Sequence, residues 1–167
     1  MKSAPKPDDL VEIFLKPGEF HFGGPDKRIR TVLGSCVSLV FWHPDRHVGG
    51  MCHYLLPSRN GNAKSGELDG RYADEALELL LREIRRCGTL PGEYQVKLFG
   101  GGDMFPKSPK IPATQVGRRN VEAARDLIKR YNLNCVGEHL EGIGHRNVIF
   151  DVWSGHVWLK HQEPCDS

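Results

Sequence analysis

Val37-Ser38-Leu39-Val40-Phe41-Trp42 is a nearly continuous apolar run at the end of a strand predicted over about residues 29 to 42. Val37, Leu39 and Phe41 alternate with Ser38, Val40 and Trp42, so neither face is plainly polar and the strand is expected to be buried on both faces. His43-Pro44-Asp45-Arg46-His47 then has turn chemistry, because proline presets one backbone angle and aspartate bonds its own backbone. Val48 to Leu56 reads as a second strand, closing a hairpin.

The segment 57 to 70 is glycine-rich, polar and aperiodic, which marks a long surface loop that could cover a site. Ala73, Ala76, Leu77, Leu80, Leu81 and Ile84 follow at helical spacing, with Gly88 where a left-handed cap would stand. A second helix is predicted from about Arg119 to Tyr131, its apolar face carrying Val121, Ala124, Leu127, Ile128 and Tyr131. Further strands are expected at 94 to 99, 134 to 140, 147 to 153 and 155 to 160, the last two joined by a short turn at Ser154-Gly155. Two helices among many strands imply an α+β fold with mixed, largely antiparallel sheets. The 167 residues suffice for one domain, with residues 1–9 and 162–167 as flexible tails.

Lysine and arginine total 23 against 21 acidic residues, spread along the chain, so nucleic acid is not an expected partner. No apolar run reaches membrane-spanning length, and none near the start resembles a signal peptide, so a cytoplasmic location without membrane insertion is expected. The five cysteines show no C-x-x-C spacing, and reduced thiols are expected. His43, His47, Cys52 and His53 cluster in sequence, but adjacent Cys52 and His53 on a strand point to opposite faces, so no metal site is assigned. His43 and His47 read as a solvated turn, and Cys87, Cys135 and Cys165 as inert or exposed thiols. No cofactor is implied.

Leu33-Gly34-Ser35-Cys36-Val37 sets a cysteine behind two small residues, where the backbone amides near Gly34 and Ser35 could support an oxyanion. A turn centred on Pro44-Asp45, or its four-residue equivalent, would oppose Cys36 to His53 on one sheet face, with Cβ atoms about 4.5–5.5 Å apart. A three-residue loop would oppose Tyr54 instead and turn the histidine away. A thiol of pKa about 8.5 is only slightly ionised at neutral pH, and an adjacent imidazolium would raise the thiolate fraction. Thr31, through its hydroxyl or its carbonyl, is the candidate to hold the ring. The bland alternative stays open at this point: strand cysteines are usually small hydrophobes, and lone strand histidines are usually structural. Gly100-Gly101-Gly102 lacks the ending of a phosphate loop and reads as a close backbone approach, with Gly101 and Gly102 as candidate substrate-cleft residues. Arg118-Arg119-Asn120 reads as a solvated or capping helix start, or as a contact for an acidic partner. Trp42, Trp153 and Trp158 read as packing residues.

Gly34-Ser35-Cys36-Val37 and Gly49-Gly50-Met51-Cys52-His53-Tyr54-Leu55-Leu56-Pro57 resemble the signature of the CheD family of chemoreceptor glutamine deamidases. Tyr72-Ala73-Asp74, Gly101-Gly102-Asp103-Met104-Phe105, Gly117-Arg118-Arg119-Asn120-Val121 and Val148-Ile149-Phe150-Asp151 continue the match in the same order, over about residues 11 to 160. Glu141-Gly142-Ile143-Gly144-His145-Arg146 departs from it, where a Gly-Gly pair and Gly-Arg are expected. The resemblance implies a protein-glutamine deamidase, with Cys36 as nucleophile, His53 as base and Thr31 as third residue, and a thioester intermediate that releases ammonia. It implies the cytoplasmic helices of chemoreceptors as substrate, a CheC-type phosphatase as a further partner, and a fold similar to the catalytic domain of the cytotoxic necrotizing factor toxins. Two other classes remain: a docking module that binds receptors or the phosphatase without catalysis, and a different thiol hydrolase whose acyl-enzyme is resolved by an amine.

Overall fold

The computed structural model describes residues 4–59, 66–109, 111 and 115–163. Residues 60–65 of the 57–70 loop, Cys165 and most of the C-terminal tail lie outside them.

The apolar run forms β4 (Val37–His43), fully buried at Val37, Leu39 and Phe41 on one face and at Ser38 and Val40 on the other. It lies inside a five-stranded sheet of order β2-β5-β4-β6-β7, with β2 (Phe20–Gly23), β5 (Val48–Cys52), β6 (Gln95–Gly100) and β7 (Asn134–Leu140). A second sheet has the order β1-β3-β8-β9, with β1 (Val11–Phe14), β3 (Lys27–Leu33), β8 (His145–Asp151) and β9 (His156–Gln162). Among the strands of the described residues only β1–β3 and β6–β7 pair in parallel, so the sheets are mixed and largely antiparallel, as the sequence implied.

Three layers follow from the side-chain alternation. Val40, Met51 and Phe99 of the five-stranded sheet meet Ile29, Leu33, Val148 and Phe150 of the four-stranded one. On its other face, Val37, Leu39, Phe41, Val96 and Leu98 meet α1 (Ala73–Arg86) and α2 (Val116–Arg130). α1 buries the six apolar residues read from its spacing, and cutting Leu77, Leu80, Leu81 or Ile84 to alanine would cost about 2–5 kcal/mol each. α2 starts three residues earlier than expected.

The strand predicted over 29–42 is in fact two strands in different sheets, broken at Gly34–Cys36. The break holds because another loop takes the carbonyls there: Gly102 N–H donates to Gly34 O at 2.9 Å and Gly101 N–H to Cys36 O at 2.8 Å. The C-terminal hairpin also differs, since Asp151 pairs with His156 and the turn has four residues, and β9 runs on to Gln162 inside the expected tail. His43 is buried rather than solvated, its Nε2 2.8 Å from Glu93 Oε2. Trp158 is exposed, with its indole N–H on Asp151.

Candidate active site

Cys36 stands on the crossover from one sheet to the other. Gly100 and Gly101 close on this crossover with φ of 111° and 68°, and a Cβ on Gly100 would lie 2.2 Å from Cys36 O, so glycine is required there. Val37 and Tyr54 exchange backbone hydrogen bonds of 3.2 and 3.0 Å, tying the residue after the cysteine to the residue after the histidine.

The hairpin register differs from the expected one. Its turn is Pro44–His47, with His47 at φ 54°, and β4 pairs Val40 with Met51 and His43 with Val48. Carried to the Val37–Tyr54 bridge, this register sets Ser38 across from His53. Because the slip is an even number of residues, Cys36 and His53 keep one face and become diagonal neighbours, a spacing that longer side chains can still bridge. Cys52 points to the opposite, helix-side face.

His53 is 3% exposed and its backbone is fixed on both sides, its N–H donating to Glu19 O at 3.1 Å and its carbonyl accepting from Gly18 N–H at 2.7 Å. Thr31, from the four-stranded sheet, reaches across to it: Thr31 Oγ1 lies 2.7 Å from His53 Nδ1 and 2.8 Å from Leu15 O. A carbonyl only accepts, so the single hydroxyl proton of Thr31 goes to Leu15. Thr31 Oγ1 must then accept from Nδ1–H, which leaves Nε2 as the bare, basic nitrogen. That Nε2 is buried and has no hydrogen-bond partner among the described residues, Cys36 Sγ included.

Burial pushes the Cys36 thiol up to about 11 and lowers the His53 imidazole to about 4. Both shifts favour the neutral forms, so the resting pair is thiol and imidazole rather than the thiolate and imidazolium expected from sequence. Such a pair acts by moving the thiol proton as the sulfur attacks.

Beside the crossover lies a cleft of about 480 Å³ whose lining includes Gly101, Gly102, Asp103, Gln115, Arg118 and Glu141. Cys36 and His53 do not line it; the glycine loop stands between. Two residues that sequence reasoning passed over brace the region. Asn120, read as solvated or capping, is wholly buried and donates through Nδ2 to Ser35 O at 3.0 Å and to Leu55 O at 2.7 Å. The available signal was its place on the buried stripe of α2 with Gly117, Val121, Ala124 and Leu127. Arg146, 1% exposed, donates through Nε to His139 Nδ1 at 2.8 Å and through Nη2 to Glu141 O, which holds the 141–144 loop. Among the described residues no three histidine, cysteine or acidic side chains gather as metal ligands would.

The family described as CheD chemotactic sensory transduction matches residues 55–161. A protein of Pseudomonas savastanoi pv. phaseolicola named probable chemoreceptor glutamine deamidase CheD is 52% identical over 93% of this chain and 88% of its own length. This chain belongs to the CheD family. A CheD protein of Dechloromonas aromatica with the same probable activity in its name is 47% identical over 96% of this chain and 94% of its own length. One from Leptospira interrogans is 35% identical over 95% and 97%. Among the described residues no helix is long and apolar enough to cross a membrane.

Proposed function

We propose that this CheD-family chain deamidates glutamine side chains on the cytoplasmic helices of chemoreceptors, with Cys36 as nucleophile, His53 as base and Thr31 as the residue that fixes the imidazole. The observation that carries the reading is the chain from Leu15 O through Thr31 Oγ1 to His53 Nδ1, which leaves a bare Nε2 on the face shared with Cys36. The names of the relatives supply the substrate class.

In this mechanism the thiol proton passes to Nε2 as Sγ bonds to the carboxamide carbon, and the carbonyl π pair moves to oxygen. The oxyanion returns its pair, the C–N bond breaks, and Nε2–H protonates the leaving ammonia. A water then gives its proton to Nε2 and its oxygen to the thioester carbon, and Sγ leaves and recovers a proton, yielding glutamate. Gly101 and Gly102 border the path of the substrate chain. The same proposal includes a CheC-type phosphatase as second partner, a cytoplasmic location, and the fold likeness to the cytotoxic necrotizing factor catalytic domain.

The test is mass spectrometry of a chemoreceptor cytoplasmic fragment incubated with the protein, with ammonia assayed in parallel. Glutamine-to-glutamate conversion with matching ammonia is expected. Binding without conversion would leave a docking module, and incorporation of an added amine would make the chain an amine transferase.

A further inference from the structure

We infer that Asn120 is the positioning residue of this site: from α2, its one amide group pins the carbonyls of Ser35 and Leu55 and thereby aims the Cys36 backbone N–H at the developing oxyanion. The inference rests on the deamidase reading above.

Nδ2 has two hydrogens and both are used, on Ser35 O at 3.0 Å and Leu55 O at 2.7 Å. Two carbonyl acceptors fix the amide orientation, since a flipped side chain would set oxygen against oxygen. Ser35 O belongs to the peptide that precedes the nucleophile, and Leu55 lies two residues beyond His53. One planar group therefore joins the arm that carries the sulfur to the arm that carries the base. Asn120 is itself anchored, because Tyr54 Oη donates to its main-chain oxygen at 2.5 Å.

The direction matters as much as the tie. In a trans peptide the C=O and N–H vectors point in opposite senses. With Ser35 O held toward α2, the N–H of Cys36 points away from the helix layer, to the inter-sheet side where Cys36 packs and where His53 and Thr31 lie. That N–H donates to no acceptor among the described residues, whereas the next amide, Val37 N–H, is spent on Tyr54 O. A free, fixed amide beside the nucleophile is the geometry of an oxyanion donor. The arrangement has a cost: among the described residues Asn120 Oδ1 is buried without a partner, as is Ser38 Oγ on the strand just beyond the nucleophile. A residue needed only to fill space in α2 would not carry an unsatisfied acceptor, because an apolar residue would serve there at lower cost.

The experiment compares Asn120→Ala and Asn120→Asp with wild type in two reactions of Cys36. Deamidation of a receptor fragment builds an oxyanion; alkylation by iodoacetamide, located to Cys36 by mass spectrometry, does not. For N120A a fall in kcat of about tenfold to a hundredfold is expected with KM little changed, and with the alkylation rate within about threefold of wild type. N120D keeps the shape and, when its carboxyl is protonated, one of the two donors, so its kcat is expected to fall as pH rises through the titration of that carboxyl while wild type stays flat. If N120A does not fold, Tyr54→Phe loosens the same anchor from outside, and a severalfold lower kcat at unchanged alkylation is expected. Folded variants with wild-type kcat, or with alkylation and deamidation falling together, would overturn the assignment. Failure of wild type itself to deamidate would instead sink the deamidase reading.

Discussion

Thr31→Val replaces a hydroxyl by a methyl of nearly the same size and removes both bonds of the relay. Thr31 and Leu15 are each 2% exposed and His53 3%, so water cannot easily substitute. Leu15 O and His53 Nδ1–H are left unsatisfied, at about 1–3 kcal/mol each. The variant should therefore lose about 2–6 kcal/mol of stability, read as roughly 5–20 °C in Tm for a chain of this size. In the reaction, Nδ1–H···Oγ1 strengthens as the ring takes the thiol proton and becomes cationic. A bond to a charged group contributes about 1.5–3 kcal/mol. At about 1.4 kcal/mol per tenfold, kcat/KM should fall by about tenfold to a hundredfold. The assay is ammonia release from a receptor fragment, well below the melting temperature of either form. Thr31→Ser keeps the hydroxyl and should recover most of the rate. T31V within about twofold of wild type, or T31S as slow as T31V, would refute the relay.

Three further outcomes are expected. Because burial holds the Cys36 thiol near 11, its alkylation rate should climb about tenfold per pH unit from pH 7 to 9, and a plateau in that range would point to a preformed thiolate. Folding lowers the His53 pKa from 6.5 to about 4, so folded protein binds fewer protons than unfolded protein between those values. The stability this burial contributes is whole above pH 6.5 and is lost as pH falls through about 4, by up to about 3 kcal/mol; denaturant titrations of wild type and His53→Gln should differ in slope over that window. Gly100→Ala would press a Cβ to 2.2 Å from Cys36 O at φ 111°, so it should destabilise by about 1–3 kcal/mol or more and slow ammonia release; a wild-type Tm and rate would show that the loop yields freely.

The double burial of β4 and the apolar faces of α1 and α2 were legible because periodicity alone encodes them. β1 and β2 were not, since each has four residues with little burial and forms only through pairing. The crossover at Gly34–Cys36 was hidden because apolar residues run on through it, and what breaks the ladder is a loop more than sixty residues away in sequence. The same reason hid the buried state of His43, which depends on Glu93, and of Asn120, which depends on Ser35 and Leu55. The two-residue register error came from the turn: four residues starting at Pro44, with His47 in the left-handed region, could not be told from its neighbours by composition. The shared face of Cys36 and His53 survived that error because strand alternation depends only on odd and even.

The most direct test of the mechanism is Cys36→Ala beside wild type on one receptor fragment, with each glutamine followed by mass spectrometry over time. Conversion at defined glutamines by wild type, and only the buffer rate with C36A, is the expected result. Conversion by a folded C36A at the wild-type rate would contradict the nucleophile and with it the reading of the site.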